Sequence, residues 1–348
     1  MKAAFFTALR RVELREVPEP KLVQPDDVLL RIDRVGVCGS DVHYYTHGNV
    51  GPQGLTYPAP VGHECSGTVL EVGPEVIGLR PGDRVAVDPA IVCGKCDQCR
   101  TGRLNTCRNI RFMGCPNQAP GALAEYSVMP AENCLVLPES VSLDEGALLE
   151  PLSIGLHAVR LGEVCPAARI AVLGAGPIGL SVLACAKATA PCTVYVTDPL
   201  EYRLEAAKQC GADWTGHPRR TSVVGEILQC DPRGLDLVFE CSGDPACINQ
   251  AQELLAPGGI LVMVGIPEDL SIRFDVHAMR VKELTFKNVR RQKGCLAPVI
   301  RLVAEHRIDT RPFLTHRFSL VEVREAFELV AGYRDGVIKA LLDLSQAP

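Results

Sequence analysis

No stretch of this sequence approaches the ~20 consecutive apolar residues that a membrane-spanning helix needs, although apolar residues make up 47% of its 348 positions. The N-terminus opens as a strand, Met1-Lys-Ala-Ala-Phe-Phe, and lacks the basic and apolar regions of a signal peptide. The expectation is a soluble, cytoplasmic protein with no membrane partner. A block of lysines and arginines is also missing. With a net charge of −5, the chain carries no electrostatic footprint for DNA or RNA, so nucleic acid is not an expected partner. Internal repeats and low-complexity segments are absent as well. Cysteine, by contrast, is plentiful at 16 residues. In a small secreted chain that count would suggest disulfides, but here the residues are spread over a large protein without an export signal, which predicts reduced thiols. Several of them, such as Cys185, Cys230 and Cys241, sit in apolar surroundings where cysteine acts as a small buried residue. The length is great for one hydrophobic core and natural for two.

The stretch that organises the chain is Arg169-Ile-Ala-Val-Leu-Gly-Ala-Gly-Pro-Ile-Gly179. Its apolar run, Ile170 to Leu173, has the length and composition of a buried parallel strand, and it breaks at Gly174 into an apolar segment of helical length, Pro177 to Ala188. Gly174, Gly176 and Gly179 stand at G-x-G-x-x-G spacing on that turn, and Pro177 and Ile178 open the helix. In a dinucleotide site the first glycine permits the tight turn, the second lets a pyrophosphate approach the backbone, and the third lets helix and strand pack closely. Phosphate would rest on the helix N-terminus. Three glycines alone are a weak signal, and the context strengthens it. A second strand, Thr193 to Thr197, ends at Asp198, nineteen residues after Gly179, where an acid would hydrogen-bond the adenosine ribose. A carboxylate there repels a 2′-phosphate. Although Arg203 follows five residues later, the expected cofactor is therefore NAD rather than NADP.

Residues 1 to about 150 are dominated by short strand-like runs broken by Gly and Pro: Val28 to Arg34, Gly67 to Val72, Arg84 to Val87 and Ala124 to Val128. This is an all-β barrel pattern. Within it, Cys38 and the pair His63-Glu64 supply thiolate, imidazole and carboxylate from separate loops, the composition of a catalytic zinc site with an open position. Cys93, Cys96, Cys99 and Cys107 form a C-x2-C-x2-C-x7-C array suited to a closed, structural Zn²⁺. An iron–sulfur cluster is the alternative, with the x7 gap and the missing Cys-Pro ending against it. Further on, Glu150 is embedded in the apolar segment Glu145 to His157. A buried carboxylate there needs a partner or a metal, unless the segment is a surface turn.

From about 154 to 288 strands alternate with helices, the pattern of a doubly wound parallel sheet. Two loops follow strand ends, Glu240-Cys241-Ser-Gly243 and Val264-Gly265-Ile266, and ligands bind at such ends. Val289, just after the last strand, joins them as a cofactor-binding candidate. The tail has two helical segments, Cys295 to Glu305 and Val321 to Ala331, and a strand, Val337 to Leu342, which do not extend the alternating sheet. The expected division is therefore a discontinuous first domain, 1–153 with 289–348, around a Rossmann NAD-binding domain, 154–288.

Read together, Cys38-Gly-Ser-Asp-Val-His-Tyr44, Gly62-His-Glu-Cys-Ser-Gly67, the Cys93 to Cys107 lobe, Glu150-Pro-Leu-Ser-Ile-Gly-Leu-His157 and Gly174-Ala-Gly-Pro-Ile-Gly179 resemble the zinc-dependent medium-chain dehydrogenases over nearly the whole chain. Within that family the chain is similar to the polyol branch of sorbitol, xylitol and arabinitol dehydrogenases. The resemblance implies a GroES-like β-barrel catalytic domain plus a Rossmann domain with the active site in the cleft between them, and a homo-oligomer, tetramer before dimer. It implies two zinc ions per chain. Cys38, His63 and Glu64 would hold the catalytic one, with Glu150 ligating directly or through the zinc-bound water. It also places Ser40 and His43 in the proton relay and Tyr44, Phe112 and Arg290 at the substrate. The implied reaction passes a hydride from a secondary hydroxyl of a polyol to NAD and yields a ketose. Arg291 stands where many sorbitol dehydrogenases place an aromatic residue, which leaves the individual sugar alcohol open. Threonine or simple alcohol dehydrogenases are the competing branches. An inert zinc-binding structural protein on the same fold is the reading from another class, and the intact ligand sets and cofactor turn argue against it.

Overall fold

Ten residues, Asp27–Gly36, form the strand on which the first half of the molecule is built. The computed structural model describes residues 1–268 and 271–345. Along one edge this strand pairs antiparallel with Glu64–Val72, and its other edge is shared: Tyr126–Pro130 takes Asp27 to Arg31, and the C-terminal strand Lys339–Asp343 takes Arg34 to Gly36. Arg84–Val87, Cys134–Val136 and Leu314–Ser319 complete the sheet among the described residues. Its inward residues, including Val28, Leu30, Ile32, Val69 and Leu342, form one apolar core with Phe6, Tyr45 and Phe327. Hydrophobic alternation sets this register, because a slip by one residue would turn that whole set toward solvent.

The chain divides into two compact units. Unit 1 comprises Met1–Glu150, Leu296–Ala304 and the segment from Leu314 onward; unit 2 comprises Pro151–Cys295 and Glu305–Phe313. These boundaries differ from those read in the sequence by three residues at the first junction and seven at the second. The segment 305–313, expected with the first domain, lies in the second unit.

Among its described residues unit 2 contains six parallel strands: β1 (Arg169–Leu173), β2 (Thr193–Thr197), β3 (Trp214–Gly216), β4 (Leu235–Glu240), β5 (Leu255–Met263) and β6 (Thr285–Asn288). Their order in the sheet is 3-2-1-4-5-6, the doubly wound arrangement in which β1 and β4 flank the point where the winding reverses. The central strands read as continuous apolar runs because helices cover both faces of such a sheet. Ile170 to Leu173 are fully buried. Helix α1 (Pro177–Thr189) follows β1 with Gly176 at its N-cap and Pro177 in its first turn, where a missing N–H costs nothing.

Candidate functional site

In unit 1 the strand Asp27–Gly36 runs through Val37 to Cys38, which is the N-cap of a helix, Gly39–His47. The helical period then sorts the side chains: Asp41, Tyr44 and Tyr45 face the core and are buried, whereas Ser40 and His43 are not. Ser40 donates a hydrogen bond to the Cys38 sulfur at 3.3 Å. His63, 7% exposed, has its Nδ1 3.4 Å from the buried Asp41 carboxylate, and its ring lies 5.3 Å from the ring of Phe112. Asp41 meets no other donor among the described residues. Burial disfavours the charged imidazole, but Asp41 and the Cys38 sulfur outweigh it and hold the His63 pKa well above its ordinary value. An Nδ1 turned to a carboxylate leaves Nε2 for a metal, the usual carboxylate–histidine–metal arrangement, so the donor chemistry around Cys38 and His63 fits zinc.

The two glutamates have different surroundings. Glu64 gives both carboxylate oxygens to the Lys339 ammonium, at 2.8 and 2.7 Å, and each side chain of that pair is 1% exposed. Lys339 also donates to the carbonyl of Val37 at 3.1 Å. Glu150 is buried, and that burial pushes its pKa up to about 7, with His63 acting in the opposite direction and Glu64 and Asp88 reinforcing it. Glu64, expected as a direct ligand, thus faces an ammonium here, and Glu150 is a buried carboxyl whose charged form burial disfavours. The sequence reading missed Asp41 and Lys339. Asp41 lies inside the Cys38 to Tyr44 segment at a core-facing helical position, and a lysine within the apolar run Val337 to Leu342 is itself a signal. Tyr44 is 4% exposed and packs in the apolar core of unit 1.

The four-cysteine lobe is gathered closely. The Cys96–Cys99, Cys96–Cys107 and Cys93–Cys107 sulfurs are 3.5, 3.9 and 3.5 Å apart. A tetrahedron of Zn–S bonds near 2.3 Å has edges of about 3.8 Å, so the spacing fits a single ion. It is too tight to enclose an iron–sulfur cluster. Hydrogen bonds from the backbone of Lys95, from the Asn109 side chain and from the backbone of Cys96 lower the Cys93 pKa to about 6, which favours the thiolate a metal requires.

In unit 2, Gly174 has φ +98°, and a side chain there would meet the backbone of Cys241 and Ser242. Gly179 is closed to any side chain by the carbonyl of Gly174. Asp198 is buried, accepts from the backbone N–H groups of Ala175 at 2.8 Å and Leu200 at 2.9 Å, and lies 3.5 Å from the Arg203 guanidinium. It therefore ties the glycine turn to the end of β2. Cys241 donates its N–H to the carbonyl of Leu173, and Val264 and Gly265 donate theirs to that of Glu240, so both loops lie at the carboxyl ends of β1, β4 and β5. Ile266 is exposed, Val289 half-buried and Arg290 exposed. Glycines open the turn at α1 for a pyrophosphate, and the residues fit a dinucleotide.

Residues 24–139 match the alcohol dehydrogenase GroES-like domain, and residues 177–305 match the zinc-binding dehydrogenase domain. Sorbitol dehydrogenase of Gallus gallus is 40% identical over 324 residues, covering 91% of this chain and 89% of that protein. D-xylulose reductase of Saccharomyces cerevisiae is 36% identical over 339 residues, covering 96% and 95%. Among solved structures, a zinc-binding dehydrogenase of Sinorhizobium meliloti 1021, bound to NADP, superposes with a TM-score of 0.91 at 30% identity and covers 99% of both chains. With both domains matched and relatives this similar along nearly its whole length, the chain belongs to the zinc-dependent medium-chain dehydrogenase family, in the polyol branch with sorbitol dehydrogenase and D-xylulose reductase.

Proposed function

We propose that this protein is an NAD-dependent polyol dehydrogenase that oxidises a secondary hydroxyl of a sugar alcohol to a ketone. The observation that carries the reading is His63, turned to Asp41 on one side and to the half-buried Cys38 sulfur on the other, next to a Glu64 engaged by Lys339. Cys38, His63 and Glu150 would give a zinc ion three donors and leave one position for substrate, the composition of a catalytic rather than a structural site. When bound, zinc supplies Lewis acidity to a hydroxyl and the dinucleotide supplies the hydride acceptor. The chain's own residues do the rest. Asp41 fixes the ring of His63 through Nδ1. Ser40 takes the hydroxyl proton and passes it to His43, which follows at i+3 on the same helix face. Phe112, against His63, walls the site from water. Arg290 as a contact for further hydroxyls rests on the family resemblance alone.

The dinucleotide reading rests on Asp198. A 2′-phosphate would have to compete with that carboxylate for Arg203, which supports NAD. The four-cysteine lobe is read as a second, structural zinc, and the assembly as a homo-oligomer. Initial rates over C4 to C6 alditols, 2-propanol, ethanol and threonine, each with NAD and NADP, test the function. A site built to pair several hydroxyls should favour xylitol or sorbitol over 2-propanol by about 10⁴-fold in kcat/KM. Equal rates with 2-propanol would replace the polyol reading with a general secondary-alcohol one.

A further inference from the structure

Glu240 ends β4, beside the point where the sheet reverses its winding, and is 1% exposed. One of its carboxylate oxygens, Oε1, accepts three hydrogen bonds, from the Ser242 N–H at 2.7 Å, the Ser242 hydroxyl at 2.5 Å and the Gly243 N–H at 2.8 Å. The other, Oε2, is buried with no hydrogen-bond partner among the described residues. Burying a carboxyl this unevenly is costly, and an apolar residue at a strand end would avoid the cost. A buried group left half satisfied calls for an explanation beyond packing.

The surroundings supply one. The turn that Glu240 gathers, Cys241 to Gly243, fits between two other loops with no space to spare. A side chain at Gly174 would come within 2.9 Å of the Ser242 nitrogen, and one at Gly265 within 2.4 Å of the Gly243 nitrogen and 2.7 Å of Glu240 Oε2. The Glu240 carbonyl accepts from the N–H groups of both Val264 and Gly265. One residue therefore joins the loops after β4 and β5 and presses the first against the glycine turn after β1. We propose that Glu240 is a positioning residue for the dinucleotide, holding the Cys241–Gly243 turn at the depth that keeps the surface beside Gly174 open to the cofactor. The inference rests on the dinucleotide reading of unit 2.

NADH and NADPH are titrated into the purified, zinc-loaded protein and its variants by cofactor fluorescence, with thermal unfolding followed in parallel. Glu240→Gln keeps an oxygen for the three donors and should bind within about threefold of wild type, whereas Glu240→Met removes the acceptor and should raise the Kd by about tenfold or more. Ser242→Ala deletes one of the three donors, leaves the fold least disturbed and should raise the Kd by about threefold. Rescue by Gln and a graded effect in Ser242→Ala separate positioning from general loss of stability. A Glu240→Met protein that is folded and binds as tightly as wild type overturns the inference. So does a Ser242→Ala protein with unchanged Kd if Glu240→Met does not fold. Failure of the wild type to bind either dinucleotide overturns the reading of the site and the inference with it.

Discussion

Replacing Lys339 with Met tests how the first unit is held together where Glu64 meets the candidate metal site. Both side chains are 1% exposed, and the ammonium satisfies three acceptors, the two oxygens of Glu64 and the carbonyl of Val37. Removing one partner of a buried ion pair leaves the other charged and unsolvated, a loss of about 3–5 kcal/mol, whereas replacing both by apolar groups of similar volume is often close to neutral. At about 2–4 °C per kcal/mol for a unit of this size, Lys339→Met should lower Tm by roughly 10 °C. The double variant Glu64→Leu/Lys339→Met should recover most of that. Thermal unfolding of zinc-matched samples reads the difference. The pH dependence has a definite sign. Burial works against the Lys339 ammonium, but Glu64 and Cys38 outweigh it and raise its pKa. Its contribution is thus complete below the unfolded value of about 10.4 and is lost only as pH rises through the higher folded one. The gap between wild type and variant should stay flat from pH 6 to 9. A Lys339→Met protein that melts with wild type, or a double variant no better than the single, would refute the reasoning.

Glu150 gives a second pH signature, in chelator-treated protein. Its folded pKa of about 7 lies above the unfolded value, so the folded state binds the extra proton and stability falls as pH rises from about 4.5 to 7. Over that window the loss should approach 3 kcal/mol, on the order of one pKa shift converted by linkage, and Glu150→Gln should abolish it. Urea unfolding at stepped pH measures both. Cys96→Ser should lower the metal content by one ion per chain, read by elemental analysis, and depress Tm more than kcat, because a closed site contributes to folding. Lys282 donates to three carbonyls at the end of the helix Pro245–Leu254, those of Gln252, Glu253 and Leu255 at 2.7 to 2.9 Å. Lys282→Met should therefore lose about 1–2 kcal/mol in the same unfolding assay.

What could be read in advance was whatever local spacing determines. The glycines at 174 and 179 specify a turn because the backbone there admits no side chain, and four cysteines within fifteen residues can hardly fold except around one centre. The doubly wound sheet follows from period and length alone, and the helix from Pro177 and the strand Thr193–Thr197 fall where the pattern put them. The burial of Tyr44 was legible in the helical period. On the helix Gly39–His47 the residues Asp41 and Tyr44 share one face, and Ser40 and His43 another. A motif read as a string loses that division, whereas the helical period assigns Asp41 and Tyr44 to the interior together. What faces Glu64 had no local answer. It depends on a lysine 275 residues from Glu64 that enters only when the C-terminal strand pairs with Arg34 to Gly36 and sets Lys339 beside Val37. Adjacent motifs can name the donors to a metal. That Glu64 meets an ammonium is decided by a strand pairing between the two ends of the chain.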